Sequence, residues 1–244
     1  MLVDVHAHLD DAQFEKDLPE VIKRAEKNEV KIIISAGIDQ KSNRNTLKIA
    51  QEYPIVKSAL GIYPSTAITL SHEEINNELD FIRKRKITAI SEIGLDNTYP
   101  NLKKQKEVFV ECIKIAEKKN IPLIIHSRKA EQETIETLQT SKSKKIVMHC
   151  FCGNKKQIKV IEDQGWYFSI PPSIVRSEHF KFLVDKVSIS QLLTESDAPY
   201  LSPVKEQRNE PAFVQEAIKE IAEKKQITVE ETEKIIFMNL KKIL

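Results

Sequence analysis

Four histidines and two carboxylates stand where short apolar runs of the sequence end: His6, His8, Glu92, His126, His149 and Asp197. Imidazole nitrogens and carboxylate oxygens are common protein ligands of divalent cations such as zinc. His6 and His8 are separated by one residue, and because the side chains of a strand alternate between its faces, both rings point to one side. This pair alone is equally compatible with two surface histidines. The recurrence of the same arrangement, an apolar run followed by a ligand, favours a shared metal site.

The number of candidate ligands predicts two ions. Four imidazoles and two carboxylates are too many for one tetrahedral ion that keeps an open position. A carboxylate can bridge two ions, and Glu92, from the middle of the series, is the candidate. Two ions about 4 Å apart polarise a bound water and clamp a phosphoryl or carbonyl centre. Asp197 is expected to bind one ion and to accept the proton of the attacking water, so Glu92 and Asp197 are the predicted catalytic residues.

The apolar runs predict eight strands that alternate with helices. The strands are expected at residues 1–5, 31–37, 55–60, 87–91, 122–125, 145–148, 166–170 and 191–196. The main helices are expected at residues 14–28, 40–52, 71–85, 102–119, 130–139, 155–164, 211–225 and 229–244. This α/β pattern is typical of one TIM-type (β/α)8 barrel, here a single domain of residues 1–244 with extra C-terminal helices. A doubly wound sheet is the alternative. In a barrel the carboxyl ends of all strands meet at one mouth, which would bring the candidate ligands together.

Composition excludes several classes of protein. The formal net charge of the 244 residues is +2, so no strong overall field attracts nucleic acid or a membrane. The three cysteines, Cys112, Cys150 and Cys152, do not form a disulfide framework. The first predicted strand leaves no room for a signal peptide, and no apolar run reaches about 18 residues, the length of a membrane span. A cytoplasmic protein that does not span a membrane is expected.

Six ordered motifs in this chain resemble those of the TatD family of metal-dependent hydrolases: residues 3–8, 92–96, 126–128, 149–151, 195–203 and 208–211. The resemblance extends from the first strand to the last helices. It implies a barrel of the amidohydrolase kind and deoxyribonuclease-type cleavage of phosphodiesters. It also implies one metal ion bound by His6, His8 and Asp197 and a second bound by His126 and His149, with Glu92 as the bridge.

The resemblance also suggests substrate-binding residues. Arg128 would face a substrate phosphate, although a surface salt bridge is the plainer alternative. Asp96, on the loop after strand four, would orient a ligand or hold Arg128, and Arg208 would bind substrate or anchor the loop after strand eight. The family commonly has Gly-x-His-Pro where this chain has Gly61-Ile62-Tyr63-Pro64, so Tyr63 takes the place of a histidine that could bind phosphate. Cys152 likewise stands where relatives often carry Ser or Thr.

Three functions are compatible with these residues. The first is a two-metal nuclease that attacks DNA ends or single strands, as an exonuclease. The second is a hydrolase of a small amide, lactone or ester, but that class often bridges its metals with a modified lysine where this chain has Glu92. The third is a non-catalytic scaffold, against which the complete ligand set argues. The ions would be zinc, manganese or magnesium. The sequence leaves the choice of DNA or RNA and the oligomeric state open.

Two histidines receive no function from the sequence. His72 follows Ser71 in a predicted capping box with Glu74, so it should be exposed in the first turn of a helix. His179 lies in the helix after strand seven and is expected on a solvated face.

Overall fold

The computed structural model describes residues 1–244, in which eight parallel strands form one sheet in sequence order. The strands are Leu2–Ala7 (β1), Val30–Ala36 (β2), Val56–Leu60 (β3), Ala89–Asp96 (β4), Leu123–Arg128 (β5), Ile146–Met148 (β6), Tyr167–Ile170 (β7) and Leu192–Thr194 (β8). Most of their residues are buried, as expected for strands covered by helices on the outside and by side chains on the inside. The sequential order excludes a doubly wound sheet. The predicted (β/α)8 barrel is confirmed.

The barrel is closed between its first and last strands by hydrogen bonds that involve side chains. The hydroxyl of Thr194 donates to the carbonyl oxygen of Val3 at 2.6 Å. The buried carboxylate of Asp4 accepts from the backbone N–H of Ser196 at 2.8 Å and from that of His6 at 3.1 Å. Burial raises the pKa of Asp4 to about 8 despite these hydrogen bonds. The loop after β8 is thereby fixed to the strand that carries His6.

Ten α-helices surround or extend the sheet: Leu18–Lys27 (α1), Gln40–Glu52 (α2), Pro64–Thr69 (α3), His72–Lys84 (α4), Leu102–Lys119 (α5), Glu131–Gln139 (α6), Lys155–Asp163 (α7), Glu178–Lys186 (α8), Val214–Lys225 (α9) and Val229–Ile243 (α10). The last two are the predicted C-terminal helices. The short α3 was not predicted from the sequence. None of the helices is long and apolar enough to cross a membrane.

Strand four is longer than predicted. A shift in register at Glu92, whose φ is 53°, lets β4 continue beside β5 as far as the pair Asp96 and Arg128. The prediction that Asp96 lies on the loop after strand four is therefore wrong, because it is the last residue of β4. Propensity could not reveal the extension, since a bulge restores pairing beyond the point where the apolar run stops.

The two histidines without a predicted function differ from each other. His72 is exposed in the first turn of α4, whose capping box between Ser71 and Glu74 forms as predicted. The prediction of a solvated His179 is wrong, because its side chain is half-buried and its Nε2 lies 2.9 Å from the carbonyl oxygen of Phe151. His179 thus contacts the loop that follows His149.

Candidate metal centre

The six candidate ligands converge at the carboxyl ends of the strands, around the carboxylate of Glu92. Its Oε1 lies 2.9 Å from Nε2 of His6 and 3.4 Å from Nε2 of His149. Its Oε2 lies 3.7 Å from Nδ1 of His126. The two oxygens of Glu92 therefore face different histidines, which is the geometry that a bridging carboxylate needs.

The remaining two ligands lie beside His6. Nε2 of His8 is 3.2 Å from Nε2 of His6, so the two rings of the His-x-His pair do point to one side. Oδ1 of Asp197 is 3.6 Å from Nε2 of His6 and 3.5 Å from Nε2 of His8. Both residues also belong to groups of three whose donor atoms lie within 4.8 Å of one another, His8 with His6 and Glu92, and Asp197 with His6 and His149, so each group can contact a common ion.

Each histidine at the centre has its other ring nitrogen held by a protein group. Nδ1 of His6 lies 3.2 Å from the hydroxyl of Ser91, and Nδ1 of His8 lies 3.2 Å from the carbonyl oxygen of Ala36. Metal-bound histidines almost always donate their second ring N–H to such a group, which fixes the ring and leaves the first nitrogen free to bind the ion.

The other two histidines are held by carboxylates, namely His126 through Nε2 by Asp96 at 3.1 Å and His149 through Nδ1 by Glu195 at 2.7 Å. In all four rings the held nitrogen is the one that faces away from the other ligands. The nitrogen that remains faces Glu92. This donor set therefore fits divalent metal ions.

Glu195 is the main residue of the site that sequence reasoning missed. It is fully buried, and besides His149 it accepts hydrogen bonds from the hydroxyl of Ser169 and from the backbone N–H of Cys150, the latter at 3.0 Å. A buried carboxylate needs partners because an unpaired one is strongly unfavourable. A glutamate directly after the apolar run that forms β8 was thus a usable signal.

Backbone conformation is strained at both carboxylate ligands. Glu92 and Asp197 each have a φ of 53°, in the left-handed region that non-glycine residues seldom adopt. Each such residue costs about 1–3 kcal/mol, and such strain is concentrated at functional sites. Next to Glu92, Gly94 has a φ of 142°, and a β-carbon there would collide with the carbonyl oxygen of His126. The close approach of β4 to β5 therefore depends on this glycine.

The histidines of the centre titrate differently from one another. Burial and the charge of His149 lower the pKa of His6 to about 4. Burial has the same direction at His8, but the hydrogen bond with Asp197 outweighs it and raises the pKa of His8 to about 9. Burial is likewise outweighed at His149, where the charge of Glu195 raises the pKa to about 10. Without a metal ion, the rings of His8 and His149 are therefore protonated on both nitrogens at neutral pH.

The two carboxylates at the centre are ionised at neutral pH. Burial favours the neutral acid of Glu92, but the hydrogen bond from His6 and the charge of His126 hold its pKa well below the usual value. Burial acts in the same way on Asp197, whose pKa the hydrogen bond from His8 lowers. Both side chains therefore present negative oxygens to a cation.

A cavity of about 490 Å³ opens above the centre at the mouth of the barrel. It is lined by five of the six candidate ligands, all except His6, and by Tyr63 and the exposed Arg128. The hydroxyl of Tyr63 donates to Oδ2 of Asp96 at 3.2 Å and lies 3.3 Å from Nε2 of His126. Burial and the nearby charge of Glu92 raise the pKa of Tyr63, which keeps the hydroxyl neutral.

Asp96 and Arg208 have structural partners that favour one alternative for each. Asp96 contacts His126 and Tyr63, which favours the alternative that it orients a candidate ligand over the alternative that it holds Arg128. Arg208 does not line the cavity. Its guanidinium forms two hydrogen bonds with Asp17, at 2.8 and 2.6 Å, which favours the anchoring alternative over substrate binding.

A family model described as TatD related DNase matches residues 3–244 of this chain. An uncharacterised metal-dependent hydrolase of Methanocaldococcus jannaschii is 35% identical over 239 residues, which cover 97% of this chain and 94% of the relative. A protein of Salmonella typhimurium named 3'-5' ssDNA/RNA exonuclease TatD is 27% identical over 234 residues, 91% of this chain and 90% of the relative.

A solved structure has the same fold. The TatD homologue YJJV of Escherichia coli superposes with a TM-score of 0.90 at 23% sequence identity, covering 98% of this chain and 95% of that one. The extent of the family match, together with the hydrolase of M. jannaschii, places the motifs of this chain in a known set of proteins. The chain belongs to the family of TatD-related DNases.

Proposed function

We propose that this protein is a divalent-metal-dependent hydrolase that removes nucleotides from the 3' end of single-stranded DNA. The observation that carries the proposal is the arrangement of four histidines around the two oxygens of Glu92. The second ring nitrogen of each histidine contacts another protein group. The names of the relatives support a metal-dependent nuclease, and the name of the Salmonella relative supports attack at a 3' end.

The proposed centre holds two ions. His6, His8 and Asp197 would hold one ion and His126 and His149 the other, with Glu92 shared between them. The separate oxygens of Glu92 that face His6 and His126 support this division, and His149, which lies nearest the same oxygen as His6, is assigned by its grouping with Glu92 and His126. Histidine ligands favour zinc or manganese, while the carboxylates and a substrate phosphate also admit magnesium.

In this proposal the protein's own groups bind the substrate and move a proton. Two bound ions supply a polarised water and neutralise phosphate charge. Asp197 is ionised and accepts the proton that the water loses. Arg128 at the cavity rim binds a phosphate oxygen, for which a guanidinium fork is well shaped. Tyr63, whose hydroxyl donates its proton to Asp96, lines the same cavity.

Residues 1–244 act as one domain in this proposal, because β1 and the loop after β8, from opposite ends of the chain, both contribute ligands to the centre. Hydrolysis of a small amide, lactone or ester is not favoured, since Glu92 occupies the position where that class often has a modified lysine. A non-catalytic scaffold is not favoured either, because every candidate ligand is in place. The cytoplasmic location stays a prediction of the sequence.

The test is a substrate screen with metal-depleted protein. The protein is treated with a chelator and then supplied with manganese, zinc or magnesium. Labelled single-stranded and duplex DNA and RNA are compared with p-nitrophenyl acetate and a simple lactone. We expect release of mononucleotides from the 3' end of single-stranded DNA only after metal is restored. Metal-independent cleavage, or turnover of the small ester or lactone alone, would contradict the proposal.

A further inference from the structure

Tyr200 presents an aromatic ring to the cavity from the loop after β8. It is the most exposed aromatic side chain that lines the cavity, with 52% of its surface accessible. Its ring centroid lies 6.2 Å from that of His8, at an interplanar angle of 68°. Its hydroxyl donates to Oδ2 of Asp11 at 3.0 Å. The ring is therefore fixed at its hydroxyl end and open to the cavity.

Tyr63, the other tyrosine that lines the cavity, is not free in the same way. Its hydroxyl is bound to Asp96, and its ring packs edge-on against His126 and Tyr99 at centroid distances of 4.9 and 6.3 Å. It belongs to the surroundings of the candidate ligands. Tyr200 thus provides an open aromatic face suited to a planar ligand. It lies on the loop after β8, the strand next to β1 in the barrel.

Charge is distributed unequally around the cavity. Asp10 and Asp11 line it just after β1, beside Tyr200. Arg128 lines it at the end of β5, which lies across the barrel from β1 in a sheet of eight sequential strands. Phosphates of a nucleic acid strand are attracted to the Arg128 side and repelled from the side of the two aspartates. A strand should therefore leave the cavity over Arg128 and end beside Tyr200.

We infer that Tyr200 is the stacking platform for the base of the 3'-terminal nucleotide. The inference rests on the proposed function and adds a base subsite to it. Aromatic side chains bind bases of single strands by stacking, which tolerates any base because every base has a π-face. A terminal sugar hydroxyl can donate a hydrogen bond to the carboxylate of Asp10 or Asp11, whereas these two carboxylates would repel a terminal phosphate. The subsite thus selects an unpaired end that carries a base and a free hydroxyl.

The experiment measures how much the preference for a 3'-terminal base depends on the side chain of Tyr200. Two single-stranded oligonucleotides differ only at the 3'-terminal residue, which is deoxyadenosine in one and an abasic tetrahydrofuran residue in the other. The ratio of kcat/KM for removal of the terminal residue is measured for wild type, Tyr200→Phe and Tyr200→Leu. Tyr53→Leu is the matched control, because Tyr53 is a partly exposed tyrosine directly after α2 that does not line the cavity.

We expect wild type, Tyr200→Phe and Tyr53→Leu to favour the base-bearing end by about tenfold or more, the usual effect of one stacked base. Tyr200→Leu should bring the ratio close to one. A 3'-terminal phosphate should slow wild type on the base-bearing strand. If Tyr200→Leu lowers cleavage of both substrates equally and keeps the ratio, its role is structural and the inference is wrong.

The wild-type protein alone also tests the inference, whatever the stability of the variants. Equal cleavage of the two oligonucleotides would overturn the base subsite and leave the proposed nuclease function intact. Absence of cleavage of either strand in the presence of metal would overturn the proposed function and the subsite together. If wild type cleaves the strand with a 3'-terminal phosphate as fast as the strand with a free 3' hydroxyl, the 3' end does not lie beside Asp10 and Asp11.

Discussion

The carboxylate of Glu195 accepts a hydrogen bond from Nδ1 of His149 at 2.7 Å, and both side chains are buried. A charged acceptor at this position fixes the tautomer of the ring and makes its Nε2 a stronger ligand. The same carboxylate also binds the backbone N–H of Cys150, so it fixes the position of the loop as well as the ring. Glu195 thus orients a candidate ligand without being one itself.

Glu195→Gln should weaken metal binding. The amide removes the negative charge, and its NH2 group would face the hydrogen-bond donors of His149, Cys150 and Ser169. We therefore expect the affinity for a divalent ion to fall by about 10- to 100-fold. Isothermal titration with manganese measures the change, with Glu223→Gln, at an exposed position on α9, as the control. Equal affinity in the Glu195→Gln variant and wild type would remove Glu195 from the site.

Metal binding should release protons at neutral pH. In the metal-free protein the pKa values of His8 and His149 are raised to about 9 and about 10, so both rings must lose a proton before they bind an ion. Below these pKa values, affinity should therefore fall as pH falls, by about tenfold per pH unit for each proton displaced. Titrations at pH 7 in buffers of different ionisation enthalpy measure the number released. No proton release would contradict the protonated state of both rings.

Asp197→Asn should reduce turnover. Loss of the group that accepts the proton of the attacking water typically lowers the rate by about 10²- to 10⁴-fold. The measurement is the initial rate of cleavage of a single-stranded oligonucleotide at saturating metal. Asp185→Asn, an exposed change on α8, should leave the rate unchanged. An Asp197→Asn variant as active as wild type would show that this carboxylate has no part in the reaction.

Tyr63 tests the effect of replacing the histidine common in the family. Tyr63→Phe removes a neutral hydrogen-bond donor and should lower phosphodiester cleavage by several-fold, in line with about 0.5–1.5 kcal/mol per neutral hydrogen bond. Tyr63→His should raise cleavage, most visibly below pH 7, because an imidazolium binds phosphate more strongly than a phenol does. Rates at several pH values distinguish these effects. If both variants cleave like wild type, Tyr63 only packs beneath its neighbours.

Much of this architecture could be predicted from the sequence. Alternation of apolar runs with amphipathic helices is a local property, and it predicted the barrel and its order of strands. The period of two along a strand predicted that His6 and His8 face the same side, as they do. Ligand types at strand ends then predicted their convergence, because a barrel brings those ends to one mouth.

Contacts between distant residues could not be predicted in the same way. The extension of β4 to Asp96 depends on a bulge at Glu92 and on pairing with β5. The bond between Glu195 and His149 joins residues 46 positions apart, and no local pattern encodes it. Arg208 belongs to one of the six family motifs, yet it is bound to Asp17. Local patterns therefore predicted the ligands better than the groups that hold them.

Anomalous diffraction from crystals soaked in manganese is the most direct test of the two-ion centre. We predict two peaks, one among His6, His8 and Asp197 and one beside His126 and His149, with Glu92 within bonding distance of both. In Glu92→Gln both peaks should weaken, because a neutral amide bridges poorly. A single peak at saturating manganese, or two undiminished peaks in Glu92→Gln, would contradict a centre bridged by Glu92.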